Sequence, residues 1–161
     1  MGTFRGTQSE RLALGAFVTL VRASEQCVER THNHLGHEEL SFSEFAVLEA
    51  LYHLGNLTQI QIGERILRSR GSITMTIDKL EKRKFVIRNR GTEDRRCITV
   101  KLTPKGNEII SSVFQKHLKI LVKEMSVLTS NEQQQLRAIC KKLTKDYNRD
   151  HDNDSSKNKG A

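Results

Sequence analysis

The apolar positions of this chain are spaced mostly by three and four. From about Ser9 to Asn33, Leu14, Phe17, Val18, Val21 and Val28 fall on one stripe, which predicts a long first helix, with Gly36 offering a stop. Ser41 to Glu44 reads as a capping box ahead of Phe45, Val47, Leu48 and Leu51, so a second helix should run to about His53 and end near Gly55. Thr58 to Gln61 repeats the capping pattern before a short third helix with Ile62 and Ile66 inward, and a fourth follows from about Ser72 to Arg83. Two short helices with a tight connection suggest a helix-turn-helix. The period then changes: Phe85 to Arg90 and Cys97 to Leu102 are β-prone runs around a charged segment, the pattern of a hairpin in which Ile98, Val100 and Leu102 share the inward face. Thr103-Pro104 opens a fifth helix carrying Ile109, Ile110, Val113, Phe114, Ile120 and Leu121. Thr129 to Glu132 caps a sixth, with Leu136, Ile139, Cys140 and Leu143 inward.

The predicted fold is therefore mainly α with a small β-hairpin wing (α+β). Residues 1–8 read as a flexible N-terminus and 149–161 as a polar, disordered tail. A chain of 161 residues suits one domain with an appended element. No stretch approaches the ~20 apolar residues of a membrane span, and residues 1–17 lack a secretory leader's apolar core, so a cytoplasmic protein without membrane contact is expected. Three cysteines without C-x-x-C spacing argue against a disulfide framework or structural zinc cluster.

A net charge of +8 attracts polyanions, and its distribution says more than its size. Between Arg68 and Arg96 there are ten Lys or Arg against four acids. With Ile73, Ile77 and Leu80 on the buried side of the fourth helix, Gly71, Ser72, Met75, Lys79 and Lys82 lie on or beside the opposite face, with Arg70 and Thr74 near the helix start. Small hydroxyls and a glycine allow close approach to a groove, and Met75 could meet a thymine methyl. At the hairpin tip Asp94-Arg95-Arg96, a guanidinium could enter a narrow minor groove, and Asp94 could hold an arginine in one rotamer. Double-stranded DNA is the expected partner. The rival within the binding class is a non-specific architectural protein, which would respond to salt but not to sequence.

Residues 41 to 106 resemble the MarR family of bacterial regulators in the stretch Leu57 to Ile66, in GSITMTIDKLEKRKFVIR and in EDRRCITVKLTPKG, and the long flanking helices extend the resemblance over about 9–147. The resemblance implies a winged helix-turn-helix lobe at 41–102 flanked by dimerisation helices at 9–40 and 103–148, a homodimer, and a near-palindromic operator. It implies DNA contacts at Arg70, Gly71, Ser72, Thr74, Met75 and Lys79, a minor-groove arginine at Arg96 and its orienting carboxylate at Asp94. Lys84 departs from the glycine usual in the family, at a cost of up to ~1 kcal/mol if its backbone is left-handed.

EFAVLEALYH and SITMTIDKLEK are similar to the quinone-responsive, MhqR-type branch, which implies a repressor released by a small aromatic or electrophilic ligand such as a quinone or phenolic. The family's pocket position would draw on Phe17, Val21, Phe45, Leu48, Tyr52 and Phe114, which can equally be ordinary core. Two other signals remain open. Cys97 follows two arginines and Cys27 lies on the first helix, so a thiol could respond to oxidation. His34, His37 and His117 could take part in zinc sensing, although histidines in a polar turn are more often solvated. No cofactor is expected. Nothing resembles a catalytic Ser/His/Asp set, a phosphate-binding glycine loop or a carboxylate pair in a cleft, so an enzyme is not expected.

Overall fold

The computed structural model describes residues 5–66, 70–90 and 98–157, with side chains described as far as 144 except those of Arg70 and Arg90. The order is α1 (Gln8–His32), a 3-10 helix (Asn33–Glu38), α2 (Phe42–Leu54), β1 (Leu57–Thr58), α3 (Gln59–Ile66), α4 (Arg70–Lys82), β2 (Val86–Arg90), β3 (Ile98–Leu102), α5 (Pro104–Met125) and α6 (Ser130–Lys157). The chain divides into two compact units, Met1–Leu121 and Val122–Ala161.

In the first unit the core is built where α2, α3 and α4 meet a three-stranded antiparallel sheet of order β1-β3-β2. Phe45, Val47, Leu48 and Leu51 of α2, Ile62 of α3, Ile73, Ile77 and Leu80 of α4, and Val86 and Val100 of the sheet are all buried, joined by Ile110 and Val113 of α5. β2 and β3 pair from Val86 opposite Leu102 to Arg90 opposite Ile98. Ile98 differs from the inward position predicted for it: at the far end of this ladder it has run past the core and is 38% exposed. The two-residue strand β1, too short to show a period, pairs Leu57 with Val100.

The predicted caps form. The Ser41 amide donates to the Glu44 carboxylate (2.8 Å) and the Glu44 amide to the Ser41 hydroxyl (3.3 Å). Thr58 and Gln61 repeat the exchange at 2.9 and 3.2 Å, as do Thr129 and Glu132 at 2.7 and 3.3 Å. α1 ends near the predicted place, but the chain tightens into the 3-10 helix instead of stopping at Gly36, and leaves it through Glu39 at φ 54°. α6 also differs. The polar composition predicts a disordered tail from 149, yet the helix continues to Lys157, since no Pro or Gly interrupts 130–157.

One junction fixes where the hairpin leaves α4. The Lys84 amide donates to the Glu81 carbonyl and the Phe85 amide to the Leu80 carbonyl, both at 2.9 Å, the pairing of a Schellman cap. That cap requires a left-handed residue, and Lys84 has φ 62°. Thr103 then ties the start of α5 to the same turn. Its hydroxyl donates to the Lys84 carbonyl (2.7 Å) and accepts from the Gly106 amide (3.0 Å), while its own amide donates to the Phe85 carbonyl (3.0 Å). Gly106 packs so closely that a Cβ there would lie 1.9 Å from the Phe85 carbonyl oxygen.

Gly106→Ala should therefore destabilise the protein by at least ~2 kcal/mol, because backbone must move to admit the methyl, whereas Lys84→Gly should add ~0.5–1 kcal/mol by relieving the left-handed side chain. Urea unfolding of the two variants checks both signs.

Candidate nucleic-acid interface

The amphipathic split of α4 decides which side chains face outward. Ile73, Ile77 and Leu80 are at most 1% exposed, so the opposite face is turned to solvent by geometry alone. Gly71, Thr74, Met75, Lys79 and Lys82 are exposed and Ser72 is half-buried. Met75 is 64% exposed, a large apolar side chain with no cover from its own unit. The structure thus brings together most of the helix residues singled out in the sequence. The Arg70 side chain and the whole of Asp94, Arg95, Arg96 and Cys97 lie outside the described residues.

Beside this face, an open groove of about 410 Å³ runs between the start of α2 and α4, lined by Ser41, Ser43, Glu44, Ser72, Met75, Thr76 and Lys79. Ser43 was missed in the sequence because it reads only as the interior of a capping box. The buried Glu44 in this wall is already committed. Burial would raise its pKa, but hydrogen bonds to Ser41 and the Arg83 guanidinium (3.4 Å) outweigh that and hold it below the usual carboxylate value. Arg83 also donates to the Glu39 carbonyl at 2.7 Å and lies over the Phe85 ring, 4.7 Å from its centroid.

Arg88 is similarly engaged. On β2, its Nη2 lies 2.5 Å from Asp78 Oδ1 and its Nη1 pairs with Glu81 Oε2, while its amide donates to Glu81 Oε1 (3.0 Å). Burial would lower the Arg88 pKa, but the two carboxylates outweigh it and raise it. Two of the ten basic residues between 68 and 96 are therefore internal fasteners, and Lys79 and Lys82 remain as exposed cations of α4.

The other candidate residues are dispersed. Phe45 and Leu48 are sealed in the core, Tyr52 and Phe114 pack against its edge with ring centroids 6.1 Å apart, Val21 is half-buried and Phe17 is 64% exposed. Cys27, half-buried, has the Arg30 guanidinium 3.7 Å from its sulfur. His34 and His117 do meet, stacked with ring centroids 5.2 Å apart, and His32 lies 5.1 Å from His117, whereas His37 is exposed. Both His34 ring nitrogens and His117 Nδ1 are buried without a hydrogen-bond partner. Among the described residues, no group of three His, Cys, Asp or Glu is arranged to hold a metal ion. No helix among them is long and apolar enough to cross a membrane.

A family model described as MarR matches residues 40–98, the stretch that contains α2 to the start of β3. The chain is 34% identical over 131 residues to the HTH-type transcriptional regulator MhqR of Bacillus subtilis, covering 81% of this chain and 90% of that one. The chain belongs to the MarR family. It is a transcriptional regulator with a winged-helix fold and not an enzyme. Among solved structures it is similar to a mutant MarR from E. coli complexed with operator DNA, with a TM-score of 0.71 at 21% identity, covering 86% of this chain and 99% of that one. It is also similar to Bordetella bronchiseptica BpsR, whose DNA binding is regulated by 6-hydroxynicotinic acid, with a TM-score of 0.74 at 21% identity and coverage of 89% and 98%.

Burial, then the neighbouring His32 and His34, hold the pKa of His117 below the ordinary 6.5 of histidine, against the opposing effect of a backbone hydrogen bond at Thr31. The unfolded chain thus takes up the proton first as pH falls. His117 supports the fold fully above about 6.5, and this regulator should lose that contribution as pH drops towards the depressed folded value. Urea unfolding at pH 7.5 and 5.5 should show a larger loss for the wild type than for His117→Asn.

Proposed function

We propose that this chain is a homodimeric, sequence-specific DNA-binding repressor that a small aromatic or electrophilic molecule, such as a quinone or phenolic, releases from a near-palindromic operator. The exposed face of α4, with Gly71, Thr74, Met75 and Lys79 beside a β-hairpin, is the observation that carries the DNA reading. A helix of this breadth enters a major groove, where Thr74 and Met75 would meet base edges and Lys79 a phosphate. In this reading Arg70 contacts DNA from the helix start, and Arg95 and Arg96, oriented by Asp94, reach the adjacent minor groove from the hairpin tip. The half-buried Ser72 and the groove beside it give room for the sugar-phosphate backbone.

Dimerisation has support in each unit separately. On α1, Leu12, Leu14, Phe17, Leu20 and Val28 are 39–68% exposed, and on α6 so are Leu136, Ile139 and Leu143 at 39–59%. Apolar surface of this extent on helices is what a second copy would cover. BpsR, similar in fold, has its DNA binding regulated by an aromatic acid, 6-hydroxynicotinic acid, and this supports an aromatic effector here. Such a ligand releases DNA only if it prefers a spacing of the two lobes that misfits successive major grooves.

Fluorescence anisotropy with a duplex enriched by the protein from a randomised pool, against a scrambled duplex of equal composition, tests the reading. The wild type should prefer the enriched duplex by at least about a thousandfold. Lys79→Ala should weaken binding to both duplexes and reduce the dependence of log affinity on log salt by about one for each phosphate it no longer neutralises. Arg96→Ala should cost most on an operator with a narrow minor groove beside the half-site. Equal, salt-sensitive binding of both duplexes would instead identify an architectural protein. Light scattering at micromolar concentration should give a dimer.

A further inference from the structure

Three groups that a linear reading separates converge behind the exposed face of α4. Gln59, the first residue of α3, has its carboxamide oriented with the oxygen towards Arg88, accepting from Nε at 3.1 Å and Nη2 at 3.2 Å. The other end of the same amide lies 3.4 Å from the Thr74 hydroxyl on the DNA-facing side of α4. Arg88 in turn forks onto Asp78 and Glu81, one helical turn apart on α4. A single guanidinium on the hairpin strand is thus bonded to both helices of the helix-turn-helix, and through Gln59 it reaches a residue placed to read bases.

The charge of this cluster excludes the simpler role. One guanidinium between two carboxylates leaves the cluster net negative, so the cluster as a whole does not draw phosphate, and the guanidinium nitrogens are occupied by partners within the lobe. What remains is geometry. A planar guanidinium can satisfy two carboxylates and an amide oxygen in fixed directions, which a lysine ammonium cannot do.

We propose that Arg88 and Gln59 are positioning residues for base discrimination: they lock the hairpin strand to α4 and orient Thr74, so that they govern the preference for operator over other DNA without contacting phosphate. This rests on the DNA-binding reading above. The two residues act as one device, so removing either should disable it, and removing both should do no further harm.

The test compares wild type, Arg88→Lys, Gln59→Ala and the double variant on the enriched and scrambled duplexes across a salt series, with circular dichroism and melting temperature as controls for folding. Each single variant should lose about tenfold in the enriched-to-scrambled affinity ratio, the size of one base contact. The salt slope and the affinity for scrambled DNA should stay as in the wild type, and the double variant should match the singles. A merely structural role would lower melting temperature while leaving the affinity ratio of the folded protein intact, and that result overturns the proposal. So does an unchanged ratio in Arg88→Lys, a salt slope reduced in Arg88→Lys or Gln59→Ala, or losses that multiply in the double variant. A wild type that fails to distinguish the duplexes overturns the DNA-specificity reading itself, and this inference with it.

Discussion

The arrangement rests on the burial of one side of α4. Ile73, Ile77 and Leu80 are closed under α2, α3 and β2, and each such side chain stabilises the fold by roughly 1.5–3 kcal/mol relative to exposure. Rotating α4 by even a quarter-turn would bring Ile77 into water and Lys79 towards the core. The same three side chains that hold the helix therefore select which residues it presents. The presented face is the complement of packing: Gly71, Thr74, Met75 and Lys79 are exposed because Ile73, Ile77 and Leu80 are not.

A second constraint, the turn after α4, sets where the hairpin leaves the helix. The Schellman cap through Lys84 and the clamp of Thr103 on Lys84 and Phe85 join the end of α4, the root of the hairpin and the start of α5 at a single point. Gly106 allows that close approach, and the fold tolerates a strained Lys84 to keep it. Charge is divided between the inside and the outside of the lobe. Arg83 and Arg88 are engaged within it, against Glu44, Asp78 and Glu81, which leaves Lys79 and Lys82 exposed on α4 for an external polyanion.

Much of this was legible in the sequence wherever the determinant is local. Capping boxes span four residues, the α4 wheel three turns, and Thr103-Pro104 announces its own helix, so those elements fall where the spacing puts them. β1 and the 3-10 helix were invisible because two residues, or a tight turn, carry no period. α1 was readable as an amphipathic helix, but periodicity does not say what covers a stripe, and Leu14, Phe17 and Val28 are exposed in their own unit. A count of basic residues overstated the free charge, since Arg88 meets Asp78 and Gln59 only after the chain has folded back over 10 and 29 positions. Ser43 and Gln59 escaped notice for the same reason: their significance comes from neighbours distant in sequence.

The most direct test of this account is a hydroxyl-radical footprint of the wild-type protein on its enriched duplex. Two recognition helices held in a symmetric dimer should protect two patches on one side of the DNA, separated by about one helical turn or a whole multiple of it. Protection spread evenly along both strands, or confined to a single half-site at saturating protein, would contradict it.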